Sequence, residues 1–213
     1  MAKIKCVLLD LDHTMYDYNV CNNKALSKVF DFISNKFKIS NEEVKKKFYD
    51  ARESIKINLL GTASSHSRLL YFKKLVEMIE NRTDPELSIN IHDMFWKEYF
   101  SNMQLFVHAK KFLDYCKAQK IKIVIITDLT AEIQLKKIAH LGISDYIDFV
   151  ITSEEVGAEK PSKRIFYAAL DKLNCSPDKA VMIGDDIEKD ISGAEKLGIK
   201  AYKSFDEVNL NEK

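Results

Sequence analysis

Two aspartates follow an apolar run near the start of the chain. Residues 7–9 lead directly into Asp10 and Asp12, and a hydroxyl follows at Thr14. Unpaired carboxylates lose hydration when they leave water, so two of them after a buried strand need an opposite charge nearby. The pair therefore predicts a site for a metal ion and an anionic substrate. Asp also favours turns, and a simple turn explains this pair alone equally well.

Polar groups follow three other apolar runs in the same way. Each run has the composition of a strand, and ligands of parallel α/β sheets bind outside the carboxyl ends of the strands. The polar groups are Thr127 and Asp128 after residues 121–126, Lys160 after residues 149–152, and Asp185, Asp186 and Asp190 after residues 181–183. We therefore expect Asp10, Thr127, Lys160 and Asp185 to meet at one site, whereas a helix N-cap explains Asp186 equally well.

The balance of charge at this edge favours a metal ion. Two carboxylates about 4 Å apart repel by roughly 4 kcal/mol at an effective dielectric near 20, so Lys160 alone would not balance four of them. An oxygen-rich site of this kind suits a hard cation, and Mg²⁺ with retained water fits best.

The elements that must position these groups alternate as strand and helix from about residue 105 onward. Nearly continuous apolar strands between helices indicate a parallel sheet covered on both faces, which predicts a Rossmann-like, doubly wound α/β core. We expect strands at 4–9, 121–126, 148–152, 180–184 and 200–202, and helices at 108–119, 131–141, 162–173 and 188–197.

Residues 16–104 interrupt this alternation. Their apolar residues recur at helical spacing in four successive segments, which predicts an inserted helical bundle. The insertion leaves the sheet directly after Asp12, so we expect it to cover the site as a lid. The predicted domains are a catalytic core of residues 1–15 and 105–213 and a cap of residues 16–104.

A short polar stretch at residues 62–68 breaks the helical pattern of the insertion. His66 and Arg68 within it are candidate contacts to a substrate. A helix start capped by Ser64 or Ser65, with solvated side chains after it, explains the stretch at least as well.

Composition excludes some classes of partner. The 213 residues carry a formal charge of +1, with 46% hydrophobic and 31% charged residues. This is typical of a globular protein, and the charge gives no field for attracting nucleic acid or a membrane, so we expect neither partner. Lysine clusters at 45–47, 73–74, 110–111 and 136–137 are predicted to lie on solvated helix faces.

The cysteines show no zinc-binding spacing. Cys6 lies in a strand that should be buried, and we expect it to pack as a small apolar side chain. With no signal peptide and no apolar run of membrane-spanning length, the expected location is the reducing cytoplasm.

The polar groups at the strand ends, taken in their order along the chain, resemble the motifs of the haloacid dehalogenase-like superfamily, specifically its phosphatase branch. The run Asp10-Leu11-Asp12-His13-Thr14 is similar to the first motif, Thr127 to the second, Lys160 to the third, and Asp185 with Asp190 to the fourth. Four such motifs at successive strand ends are highly specific. The helical insertion resembles the type-1 cap of the family.

The resemblance implies an Mg²⁺-dependent phosphomonoester hydrolase acting on a small phosphorylated metabolite: a sugar phosphate, a sugar-acid phosphate or a nucleoside monophosphate. Asp10 would be the nucleophile that forms an aspartyl-phosphate. Asp12 would give a proton to the leaving oxygen and later take one from water. The implied phosphate-binding residues are Thr127, Asp128 and Lys160, and the implied metal ligands are Asp10, the backbone carbonyl of Asp12, Asp185 and Asp190.

Three alternatives accompany this interpretation. Dehalogenases of the superfamily lack the carboxylate that Asp12 provides, which argues against that activity. A phosphosugar mutase of the same branch would use the same acidic pair, and a receiver-type phospho-acceptor module would combine similar groups without an enzymatic role.

Asp128 departs from the pattern of the family, in which many members carry a neutral residue at this position. The protein is expected to be a monomer or a small homo-oligomer.

Overall fold

The structure, a computed structural model, describes residues 4–208. Five strands form one all-parallel sheet in the order β3-β2-β1-β4-β5, which confirms the predicted α/β core. The strands are β1 (Cys6–Leu9), β2 (Lys122–Thr127), β3 (Phe149–Thr152), β4 (Ala180–Ile183) and β5 (Lys200–Tyr202).

The central strand, β1, leads into Asp10. All four of its residues are buried, and Leu8 pairs with Val124 of β2 on one side and Met182 of β4 on the other. The chain builds β2 and β3 on one side of β1 and then crosses back to build β4 and β5 on the other. Strand order therefore reverses beside β1, and such a reversal opens a crevice at the carboxyl ends of the strands.

Helices connect the strands. They follow the four helices of the insertion and are α5 (Val107–Gln119), α6 (Ala131–His140), the short α7 (Ser153–Val156), α8 (Lys163–Leu173) and the single turn α9 (Gly193–Glu195). Phe166 and Leu170 of α8 belong to the same buried apolar cluster as Leu8 and Val124 of the sheet. The apolar faces of the helices thus hold the sheet, and with it the strand ends, in place.

The prediction of one regular helix at 188–197 is wrong. The chain instead forms a π-helix at Ile187–Ser192, followed by α9. The carbonyl oxygen of Asp186 accepts hydrogen bonds from the N–H groups of both Asp190 and Ile191. The carboxylate of Asp190 also turns inward to Lys160. Local bonds of this kind override regular helical spacing, and π-turns are frequent at functional sites.

Residues 18–103 form a compact helical unit of their own. The predicted helices are present as α1 (Tyr18–Phe37), α2 (Asn41–Asn58), α3 (Arg68–Glu80) and α4 (Pro85–Ser101). Buried aromatic rings join them: Phe48 lies 5.3 Å from Phe30 and 5.7 Å from Phe72, and Phe72 lies 5.5 Å from Phe95 between ring centroids. Such contacts stabilise the bundle through apolar burial and ring packing.

The start of α3 differs from the expectation. The hydroxyl of Ser67, not of Ser64 or Ser65, accepts a hydrogen bond from the N–H of Leu70 at 3.3 Å and caps the helix. Residues 63–66 form a separate 3₁₀ turn before it. Ser64 and Ser65 lie inside that turn, so neither stands at the position that caps α3.

Cys6 is buried as predicted, but its sulfur is bonded to that of Cys175, in the loop after α8. The sequence did not indicate this disulfide, because the two cysteines lie 169 residues apart. Cys21 and Cys116 are buried and take no part in that disulfide. Within residues 4–208, every helix is too short or too polar to cross a membrane. The cytoplasmic location stays a prediction.

Candidate active site

A buried ion pair lies where β1 ends. The N–H of Asp10 donates to the carbonyl of Ile183 at 2.9 Å, which extends the pairing of β1 with β4 to this residue. The carboxylate of Asp10 is 6% exposed and accepts a hydrogen bond from the hydroxyl of Thr14 at 3.0 Å. Lys160, equally buried, donates from Nζ to Oδ1 of Asp10 at 2.5 Å and to Oδ1 of Asp190 at 2.7 Å.

Three carboxylates converge at this position. One oxygen each of Asp10, Asp185 and Asp190 lies within 4.8 Å of the others. Oδ2 of Asp190 also accepts the N–H of Asp186 at 3.1 Å. Gly184 permits this approach, because a Cβ there would collide with the Asp190 carboxyl group. A set of carboxylate oxygens at this spacing fits the oxygen ligands that Mg²⁺ prefers.

The charges of this cluster are not balanced. Burial is the main cause that raises the pKa of Asp10 to about 7, and Asp190 raises it further while Lys160 opposes the shift. Burial likewise raises the pKa of Asp190, and partial burial together with the charge of Asp10 raises the pKa of Asp185. Burial alone would lower the pKa of Lys160, but Asp10 and Asp190 outweigh it and raise that pKa. The cluster therefore favours an additional cation.

The carboxylate of Asp12 is held separately from this cluster. Lys137 donates from Nζ to its two oxygens at 2.7 and 2.8 Å, and the hydroxyl of Tyr16 donates to Oδ1. Burial would raise the pKa of Asp12, but Lys137, with help from Tyr16 and Gln134, lowers it below the usual value. The side chain of Asp12 thus lies outside the group of three carboxylates, and metal binding by its backbone carbonyl stays a prediction.

Lys137 corrects one expectation from the sequence. The lysine pair 136–137 was predicted to be solvated, but only Lys136 is, while the Lys137 side chain is 1% exposed. The attraction of Asp12 outweighs the loss of hydration. A signal was present: Gln134 and Lys137 share the buried face of α6 with Ile133 and Ile138. The helical periodicity of α6 thus assigns Gln134 and Lys137 to its core-facing side, where polar residues need a buried partner.

Two further predicted residues end β2 or follow it. Thr127 is buried, and its hydroxyl accepts a hydrogen bond from Nε2 of Gln134. The carboxylate of Asp128 accepts the N–H of Lys160 at 2.9 Å and the ammonium of Lys189 at 2.8 Å. Asp128 thereby fixes the backbone that carries Lys160, and its contact with phosphate stays a prediction.

Asp186 has a local role. Its Oδ1 accepts the N–H groups of Glu188 and Lys189, both at 2.9 Å, and caps the π-helix. This supports the capping interpretation of Asp186, whereas the carboxylate of Asp185 lies with those of Asp10 and Asp190.

The candidate substrate contacts lie within the helical unit. Arg68 donates to the hydroxyl of Tyr18, to Oδ1 of Asn22 at 3.2 Å and to the carbonyl of His66 at 3.3 Å. Its guanidinium also lies 5.4 Å above the ring of Tyr71. These contacts anchor Arg68 in the bundle, and contact of Arg68 or His66 with a substrate stays a prediction.

The structure thus brings Asp10, Lys160, Asp185 and Asp190 into direct contact or close proximity, and it connects Asp12 to Thr127 through Gln134. Sequence reasoning missed four residues that bind these groups: Lys189 at Asp128, Gln134 at Thr127 and Asp12, and Tyr16 and Lys137 at Asp12.

Comparison with known proteins identifies the family of this chain. The sequence model of the haloacid dehalogenase-like hydrolases matches residues 7–203. A ribulose-1,5-bisphosphate 5-phosphatase of Halopiger xanaduensis is 38% identical over 195 residues, which are 91% of this chain and 82% of that protein. A glyceraldehyde 3-phosphate phosphatase of Methanothermobacter thermautotrophicus is 29% identical over 93% of this chain and 84% of its own.

A solved structure shares the fold. The crystal structure of a haloacid dehalogenase-like phosphatase from Thermococcus onnurineus superimposes with a TM-score of 0.74 at 27% identity, covering 93% of this chain and 85% of that one. The chain therefore belongs to the haloacid dehalogenase-like hydrolase family and is an enzyme of its phosphatase branch.

Proposed function

We propose that this phosphatase hydrolyses a small phosphorylated sugar with Mg²⁺ and through a phosphorylated Asp10. The observation that carries the proposal is the buried contact between Asp10 and Lys160, with oxygens of Asp185 and Asp190 within 4.8 Å of an oxygen of Asp10. A phosphatase needs a nucleophile, a countercharge and a cation site close together, and this cluster offers all three.

Asp10 is the proposed nucleophile. A carboxylate oxygen of Asp10 attacks phosphorus, and the bond from phosphorus to the ester oxygen of the substrate breaks. Thr14 and Lys160 each hold one oxygen of the carboxylate, which limits its rotation before the attack. Such pre-orientation lowers the entropic part of the barrier.

Lys160 and Thr127 are the proposed phosphate ligands. The ammonium of Lys160 has three hydrogens, and two are directed to Asp10 and Asp190. The third is available to a phosphoryl oxygen, and the ammonium offsets the repulsion between the anionic nucleophile and the anionic phosphate. We place Asp128 beside them through its hydrogen bond to the backbone of Lys160.

Asp12 is the proposed proton carrier. Lys137 keeps it ionised without substrate, which is the form that takes a proton from water when the aspartyl-phosphate is hydrolysed. In the first half-reaction the leaving oxygen needs a proton instead. A bound phosphate dianion raises the pKa of a neighbouring carboxyl group, so substrate binding favours the protonated form of Asp12.

Asp10, Asp185 and Asp190 are the proposed residues that hold Mg²⁺, with the backbone carbonyl of Asp12. When bound, the ion would neutralise charge on the phosphoryl oxygens. The excess of buried carboxylates over Lys160 supports this assignment.

The proposed substrate class follows from the relatives. The 38%-identical relative is named for ribulose 1,5-bisphosphate and another for glyceraldehyde 3-phosphate, so phosphorylated sugars take precedence over sugar-acid phosphates and nucleoside monophosphates. We assign substrate selection to the helical unit as a cap, with residues 16–104 as cap and residues 1–15 and 105–213 as catalytic core.

The test compares the parent with Asp10→Asn. Phosphate release from para-nitrophenyl phosphate, glyceraldehyde 3-phosphate and ribulose 1,5-bisphosphate is measured with Mg²⁺ and with excess chelator. We expect the variant and the chelated parent to lose turnover, and Asp171→Asn, on the exposed face of α8, to match the parent. A parent-like rate in Asp10→Asn would reject the nucleophile. An isomerised sugar phosphate, rather than inorganic phosphate, would identify a mutase.

A further inference from the structure

Helix α6 buries two polar side chains one turn apart. The side chain of Gln134 is fully buried and that of Lys137 nearly so. Burying an amide and an ammonium costs free energy unless each is hydrogen-bonded, and apolar residues would stabilise the same positions without that cost. Both side chains form hydrogen bonds to residues of the proposed reaction, and this indicates why polar residues occupy these buried positions.

Lys137 fixes the carboxylate of Asp12. Its ammonium contacts both carboxylate oxygens, at 2.7 and 2.8 Å, from a residue 125 positions away in the chain. The hydroxyl of Tyr16 donates to one of the same oxygens, and the Lys137 ammonium lies 6.0 Å from the centre of the Tyr16 ring. With both oxygens bound from defined directions, the carboxylate has one favoured orientation.

Gln134 fixes the hydroxyl of Thr127. Its Nε2 faces three oxygens: Oγ1 of Thr127, Oδ2 of Asp12 at 3.3 Å and the carbonyl of Asp128 at 3.2 Å. The last two only accept hydrogen bonds, so the amide nitrogen, not its oxygen, must face the group. When Oγ1 of Thr127 accepts from Gln134, the hydroxyl hydrogen is available to a phosphoryl oxygen.

We propose that Gln134 and Lys137 are positioning residues for the two halves of the site. Lys137 holds Asp12 in line for proton transfer with the leaving group, and Gln134 turns the Thr127 hydroxyl toward the phosphoryl group. The inference rests on the proposed function, and the two residues affect separable quantities. Loss of Lys137 slows the proton-dependent step, whereas loss of Gln134 weakens phosphate binding.

The test for Lys137 uses leaving groups of different basicity. Lys137→Met should slow single-turnover phosphorylation of Asp10 by a sugar phosphate about 100-fold, within the usual contribution of acid–base catalysis. Phosphorylation by 2,4-dinitrophenyl phosphate should change by less than about threefold, because its leaving group departs without a proton. Lys136→Met, on the exposed face beside Glu132, is the matched control and should match the parent.

A double-mutant cycle separates positioning from folding. If Lys137 acts through Asp12, Lys137→Met should have no further effect on phosphorylation in an Asp12→Asn background, which also removes the buried charge that the single variant leaves unpaired. Equal slowing with both leaving groups, or additive losses in the cycle, would overturn the role of Lys137. If no phosphorylated Asp10 forms in the parent, the proposed function itself fails.

The test for Gln134 is a split between binding and turnover. Gln134→Leu should raise the KM for the sugar phosphate and the inhibition constant of inorganic phosphate about tenfold, the effect of one hydrogen bond to a charged group. We expect kcat to stay within about threefold of the parent, since Lys137 and Tyr16 still hold Asp12 after its 3.3 Å contact with Gln134 is lost. An unchanged inhibition constant for phosphate, or a loss in kcat alone, would overturn this half of the proposal.

Discussion

Replacing Lys160 by methionine tests the electrostatic account of the site. The ammonium contacts carboxylate oxygens of Asp10 and Asp190 at 2.5 and 2.7 Å, and its side chain is 3% exposed. Methionine has a similar length and no charge, so Lys160→Met removes the countercharge with little change in volume. The two carboxylates then lie buried without it.

The expected cost follows from these distances. Removing one partner of a buried ion pair costs about 3–5 kcal/mol of unfolding free energy. Carboxylate oxygens within 4.8 Å of each other repel by about 3.5 kcal/mol at an effective dielectric near 20, which agrees with that range. With Lys160 present the pKa of Asp10 is already raised to about 7, mainly by burial. Without Lys160 it rises further, so protonation relieves the repulsion at low pH.

Urea unfolding followed by far-UV circular dichroism measures this cost in metal-free buffer. We expect Lys160→Met to lose about 3–5 kcal/mol at pH 8 and clearly less at pH 5.5, with Mg²⁺ recovering part of the loss at pH 8. Lys163→Met, on the exposed start of α8, is the control and should change little. A loss below about 1 kcal/mol at pH 8, or an equal loss at both pH values, would refute the reasoning.

Three other predictions follow from the site. Asp185→Ala should raise the Mg²⁺ concentration for half-maximal activity far more than Asp186→Ala does. Asp186→Ala should mainly lower the free energy of unfolding by the ~0.5–2 kcal/mol of a helix cap, and equal increases in the Mg²⁺ requirement would contradict the assignment. Burial raises the pKa of Asp10 in the folded protein from its ordinary value of 3.8 to about 7, so the metal-free protein loses stability as the pH rises through that interval. Protons therefore compete with Mg²⁺, and the increase in Tm caused by Mg²⁺ should be smaller at pH 5.5 than at pH 8; a pH-independent increase would argue against Asp10 as a ligand. Arg68→Ala should lower kcat/KM for ribulose 1,5-bisphosphate by an amount equivalent to the ~1.5–3 kcal/mol of a charge-assisted hydrogen bond, and it should leave kcat/KM for para-nitrophenyl phosphate unaffected. Arg82→Ala is the control, and equal losses on both substrates would exclude a substrate contact.

Local patterns in the sequence were sufficient for the fold. Continuous apolar runs separated by helical periodicity predicted the five parallel strands and the helical insertion, because both patterns depend on neighbours within a few residues. The motif residues were identifiable for the same reason. Asp10 and Asp185 each follow a buried strand within two residues, so the strand ends fix their place at the sheet edge.

Contacts between distant residues required the tertiary structure. Lys137 looked like one half of a solvated lysine pair, and only its approach to Asp12, 125 residues earlier, makes its burial favourable. The bond between Cys6 and Cys175 also joins distant residues. So does the contact of Lys160 with Asp190, which the π-helix turns inward. Helical and strand periodicity report which face of an element is apolar. The charge that a buried polar group contacts depends on which distant elements the folded sheet and its helices bring next to it. A pattern over neighbouring residues does not contain this information.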